Sequence, residues 1–225
     1  MLFVWYKVSF DEKWSHGSAV CETVYFFVEF VCVFPWKCVS LNNQNREKIM
    51  DGILRKLPIG IQTFEKLREG DYLYVDKTAL VWRIASTETP YFLSRPRRFG
   101  KSLLLSTFEA YFEGKKELFE GLAIADMEKE WKTYPVFHLD LNAEKYDSPQ
   151  ALVEILSRQL TQWELKYGKG EDEETLSGRF AGVIRRACEQ SGRGVVVLVD
   201  EYDKPLLQAL DDGTLLDDYR KTLKA

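Results

Sequence analysis

Residues 195–199 read VVVLV, an unbroken apolar run, and Asp200 and Glu201 follow at once. A strand with one wet face alternates apolar and polar residues, so a strand with no polar position must be covered on both sides. That requirement selects an α/β architecture, in which helices return between strands and pack on the two faces of the sheet. Carboxylates that end such a strand fall at the rim where open α/β sheets hold their ligands.

The chain around this strand has the expected alternation. PYFL (90–93) and YPVFHLDL (134–141) read as further strands. Between them KSLLLSTFEAYFEG (101–114) reads as a helix closed by Gly114. A helix over 76–86 has Asp76 as its N-cap, and LYVD before it is a short strand or a turn-in. Residues 148–168 form a long amphipathic helix with Ser148 as cap and Pro149 at its first position. Trp163 and Tyr167, four apart on it, read as packing residues rather than a base-stacking platform. GKGEDEE (168–174) reads as a solvated acidic loop, and 175–192 as one more helix. The expected fold is therefore α/β, a three-layer sandwich with a mostly parallel sheet.

Residues 1–49 differ from this pattern. They are crowded with aromatics, hold Cys21, Cys32 and Cys38, and show no periodicity that would pack on the rest of the chain. They are expected to be an atypical extension, spurious or disordered, with the domain proper running over 50–225. The most apolar run, 24–36, is too short to span a bilayer and contains Glu29, which argues against a membrane role. The fourth cysteine is Cys188; no pair has C-x-x-C spacing and the chain has only two histidines, so thiols in a reducing cytoplasm are expected rather than a zinc site. A formal charge of −4 gives no overall attraction to nucleic acid, so direct nucleic-acid binding is not expected and any polyanion site must be local.

One such site stands out. RPRRFGKS (95–102) sits between the strand at 90–93 and the helix at 101–114 and concentrates three arginines and a lysine around Gly100. Burying that charge is costly unless an anion meets it. A turn of this kind offers backbone N–H groups and a helix amino end to phosphate oxygens, Lys101 to the β and γ phosphates, and the Ser102 hydroxyl to Mg²⁺. The pattern is the latter half of G-x-x-x-x-G-K-[ST], with Arg95 where the first glycine would stand. Asp200 can hold the magnesium and Glu201 can orient or deprotonate a water attacking the γ phosphate. The bland alternatives are a solvated basic turn and acids that cap the turn before Pro205. His138 reads as a core or edge residue of its strand, whereas Asp140, at the carboxyl end of the same strand, is better placed to approach the attacking water.

LPIGIQTFEKLREGDYLYVDKT, YFLSRPRRFGKSLLLSTFEAYFEGKKELFEGL and VVVLVDEYDKPL together resemble the bacterial AAA-ATPase-like family, from about Leu57 to the last residue. The resemblance implies a P-loop NTPase fold, Mg-ATP as cofactor and hydrolysis to ADP and phosphate in the intact protein. It places Gly100, Lys101 and Ser102, with neighbouring Phe99 and Leu103, in the phosphate loop, and Arg97 and Arg98 in its basic lead-in. Asp200 and Glu201 match the magnesium-binding and catalytic acids. It also implies a further core strand and more helices after residue 225, so the sheet is expected to be incomplete at the C-terminus; longer members of the family often carry a C-terminal nuclease-like domain. A nucleotide-gated interaction module that binds without turnover, contacting a protein partner, and a P-loop kinase are the rival readings.

Overall fold

In the computed structural model the described residues are 2–8, as backbone, and 55–87, 89–94, 99–142 and 145–224. Their strands are β1 (Leu2–Val8), β2 (Tyr91–Ser94), β3 (Val136–Asp140) and β4 (Val195–Asp200). Their helices are α1 (Phe64–Glu69), α2 (Thr78–Ala85), α3 (Lys101–Phe112), α4 (Ala123–Met127), α5 (Pro149–Tyr167), α6 (Leu176–Ser191), α7 (Lys204–Gln208) and α8 (Gly213–Lys224). LYVD is a turn-in: Tyr72 makes one isolated bridge to Lys56 and no strand follows.

The sheet order is β2-β1-β4-β3. β3 and β4 are parallel, whereas β1 is antiparallel to both of its neighbours. β2, β3 and β4 therefore share one direction, as a mostly parallel sheet requires, but β1 reverses it and makes two of the three ladders antiparallel. That strand comes from the N-terminal extension, where no packing pattern is legible; backbone pairing needs only an extended segment, not a periodic one. Residues 9–49 lie outside the described residues, and with them the reading of 24–36 and of Cys21, Cys32 and Cys38.

Register divides the side chains of β3 and β4 between two faces. Val136, His138 and Asp140 stand beside Val196, Leu198 and Asp200. This face packs on α3: Leu105, Phe108 and Phe112 are buried against Val196 and Leu198, with Phe64, Phe119 and Ile124 completing the cluster. The opposite face presents Phe137, Val195 and Val197 to Leu160 of α5 and to Val183, Ile184 and Ala187 of α6. Trp163 stacks on Phe137 at 4.6 Å and Tyr167 closes the same cluster, as packing residues should. Burial of each such aromatic side chain contributes about 2–3 kcal/mol, so both faces of the strand add to stability. A third cluster, Leu141, Leu152, Ala209 and Tyr219, caps the carboxyl rim of β3 with α5, α7 and α8.

The helix ends are partly as expected. Gly114 follows α3 in the left-handed region at φ 73°. Asp76 stands one residue before the cap position of α2, but its Oδ1 accepts from Thr78 N at 2.8 Å and from Thr78 Oγ1 at 2.7 Å. Ser148 occupies the cap position of α5 with Pro149 behind it, yet its hydroxyl caps nothing. The acidic loop is not wholly solvated. Glu173 accepts from Arg186 Nη1 at 2.5 Å and Nη2 at 2.9 Å, and lies where a Cβ on Gly182 would stand. A glycine one turn before Arg186 lets the carboxylate settle on the helix surface, which charge counting in the loop does not show.

Candidate functional site

Three chain segments converge where β2, β3 and β4 end. β2 stops at Ser94, and the chain re-enters at Phe99 and Gly100 to begin α3. Arg97 and Arg98 lie outside the described residues. Gly100 holds φ 73°, in the left-handed region, with nothing within 4 Å of where a Cβ would sit. Glycine is required there by backbone conformation rather than by space. Gly100 has no side chain to cap α3, so no N-cap hydroxyl or carboxylate takes up the N–H groups of its first turn, which favour an anion. Phe99 is 59% exposed beside this turn, and Leu103 packs on the core side.

Lys101, the first residue of α3, is only 5% exposed. An ammonium so far from water calls for negative charge nearby. Part of that charge comes from the end of β4, where Asp200 is 5% exposed and the next residue, Glu201, is 9% exposed and feels the Lys101 charge. Ser102 Oγ donates to Asp200 Oδ2 at 2.7 Å, joining residues 98 apart in the chain. The other oxygen, Asp200 Oδ1, is buried and has no hydrogen-bond partner among the described residues. A hydroxyl oxygen and a half-satisfied carboxylate, side by side on two elements, form the hard oxygen set that suits magnesium. The chemistry of the donors thus fits that ion, with Ser102 and Asp200 as the residues that would hold it.

Glu201 is unusual in two respects. Its backbone stands at φ 55°, a conformation that costs a non-glycine residue roughly 1–2 kcal/mol. Burial pushes its carboxyl above the usual range, Asp200 adds to the rise, and Lys101 offsets part of it. A strained backbone and a more basic carboxylate on one buried residue is the combination found at working sites.

The rim of β3 is tied into the same region. Asp140 is paired in register with Asp200 but is exposed, and its Oδ1 accepts from Asn142 N at 2.8 Å. Leu141 N donates to Asp200 O at 3.1 Å, and Lys204 Nζ donates to Asn142 Oδ1 at 3.0 Å. His138, read as a core or edge residue, is half-buried on the face that packs against α3: its Nδ1 lies 3.1 Å from Glu109 Oε2. Glu109 was not legible as a partner, although its position seven residues after Ser102 puts both on one stripe of α3 and was the available signal. Among the described residues no group of three or more acidic, histidine or cysteine side chains gathers around a metal position. No described helix is long and apolar enough to cross a membrane.

Known proteins resemble this chain in sequence. It is 42% identical over 171 residues, 76% of its length, to an uncharacterized protein encoded in the vnfD 5' region of Azotobacter chroococcum mcd 1. The chain spans about a third of that relative's length, the match covering 33% of it. No solved structure matches. A family described as a predicted AAA-ATPase matches residues 58–225, the whole of the segment that carries the turn at Gly100, the buried lysine and the adjacent acids, and the chain belongs to that family.

Proposed function

We propose that this chain binds a nucleoside triphosphate with magnesium at the β2–α3 turn and, within a longer protein, hydrolyses ATP to ADP and phosphate on a P-loop NTPase-type fold. The observation that carries the reading is the Ser102–Asp200 hydrogen bond, which brings the start of α3 and the end of β4 together beside a buried lysine. Membership of a family of predicted ATPases supports nucleotide as the ligand.

The residues divide the work by position. The uncapped first turn of α3 and the backbone at Gly100 receive phosphate oxygens. Lys101, held in place by burial, neutralises charge that develops on the transferred phosphoryl group. Ser102 and Asp200 hold the metal, which when bound shields phosphate charge and orients the terminal phosphoryl group. Glu201 accepts the proton of the attacking water, a task that suits a carboxylate whose affinity for protons is raised.

Calorimetry of the full chain with Mg-ATP, beside Lys101→Ala and Glu201→Gln, tests this with phosphate release followed in the same samples. We expect Lys101→Ala to lose binding and Glu201→Gln to bind without turnover. Binding without phosphate release by the unaltered chain would point either to a need for the rest of the longer protein or to the non-hydrolysing module, and phosphate release by the longer protein separates the two. No binding by folded protein would return the turn to a basic loop.

A further inference from the structure

Helix α3 is moored to the sheet at two polar points. Ser102 and Glu109 are seven residues apart, so their side chains leave the same face about 10.5 Å apart along the axis. Ser102 reaches Asp200 on β4 and Glu109 reaches His138 on β3. Between the moorings the contact is made by Leu105 and Phe108, both fully buried. Apolar contact holds α3 against the sheet but is non-directional, so axial position depends on the polar points.

The lower mooring lies directly beneath the site. His138 precedes Asp140 by two residues and so stands one row below the Asp140–Asp200 pair, on the same face. Its Nδ1 is occupied by Glu109, and its Nε2 is buried without a hydrogen-bond partner among the described residues, as is Asp200 Oδ1 above it. Phosphate bound by the first turn of α3 needs that helix alone. A cation that joins phosphate to Asp200 needs α3 and β4 in fixed relative position.

We propose that Glu109 and His138 are a positioning pair that sets the axial position of α3 against the sheet, and so selectively supports the magnesium-dependent part of nucleotide binding. The proposal rests on the reading of the turn as a magnesium–nucleotide site.

The test measures ATP affinity of the full chain in excess magnesium and in EDTA, for the unaltered protein, Glu109→Ala, His138→Gln and Glu109→Gln. Tyr111→Phe is the control, because Tyr111 also lies on α3 but its lost hydrogen bond goes to Glu128 at the end of α4, away from the site. Loss of one charge-assisted hydrogen bond predicts that Glu109→Ala and His138→Gln forfeit about tenfold of the gain from magnesium. Their affinity in EDTA is expected to stay within about twofold of the parent on the same reasoning. Glu109→Gln, whose amide oxygen still accepts from Nδ1–H, keeps most of the gain, and Tyr111→Phe keeps all of it while lowering the melting temperature. The two disruptive substitutions sit on different elements, so either one that folds suffices. Equal losses in EDTA and in magnesium, an undiminished gain, or the same loss in Tyr111→Phe would overturn the pair's role and leave the site reading intact. A parent protein that gains nothing from magnesium would sink the site reading and this proposal together.

Discussion

Asp76 joins two helices that are distant in sequence, and its removal has a calculable cost. Its Oδ1 accepts from Thr78 N and Thr78 Oγ1, while Oδ2 accepts from Ala123 N, 47 residues on, at 2.7 Å. Thr78, fully buried, passes the contact along by accepting from Ile124 N at 3.1 Å. One half-buried carboxylate thus satisfies free N–H groups at the starts of both α2 and α4. Loss of a helix cap costs about 1 kcal/mol, and each amide left without a partner costs about 1–3 kcal/mol more. Asp76→Ala is therefore expected to destabilise by about 3 kcal/mol, which lowers the melting temperature by roughly 6–12 °C in a chain of this size. Asp76→Asn, which keeps one acceptor but turns an NH₂ toward Ala123 N or Thr78 N, falls between the two. Urea unfolding followed by circular dichroism measures the loss, and a cycle with Thr78→Val should show coupling of at least about 1 kcal/mol. A loss under about 1 kcal/mol, or additive single mutants, would refute the shared-cap argument. Nucleotide affinity per folded molecule is expected to be unchanged, since neither residue reaches the β2–α3 turn.

Two further outcomes concern the site itself. Burial lowers the His138 pKa, but the Glu109 hydrogen bond and charge, with Asp140 and Asp200, outweigh it and leave the group above its ordinary 6.5. Protonated His138 therefore stabilises the fold fully below pH 6.5, and the contribution fades as pH rises through the elevated folded value. The melting-temperature gap between the parent and His138→Gln should be widest below pH 6.5 and narrow as the pH rises above it; a gap that widens with pH would contradict the sign. Glu201→Gly relieves the left-handed backbone and removes a buried carboxylate, so it should leave stability unchanged or raise it by about 1 kcal/mol, with phosphate release abolished. A loss above about 2 kcal/mol would show that the side chain holds the fold together.

The elements and the turn that leads into α3 were legible because their causes are local. An apolar run marks β4 whatever it pairs with, Gly100 and Gly114 bracket α3 by their backbone freedom, and charge clustered between a strand and a helix marks the turn. Lys101, Ser102, Asp200 and Glu201 were named from residue type and from their place at strand and helix ends, and the structure brings these four together. Contacts set by the approach of distant segments were not legible. The reversal of β1 between β2 and β4, the pairing of Glu109 with His138, the second helix start held by Asp76 and the settling of Glu173 on α6 each depend on which faces meet. Periodicity says that a residue faces inward but not what it finds there. Pattern and propensity, which act within a few residues, determined the parts; packing across the sheet, where one side chain meets another tens of residues away, decided their partners.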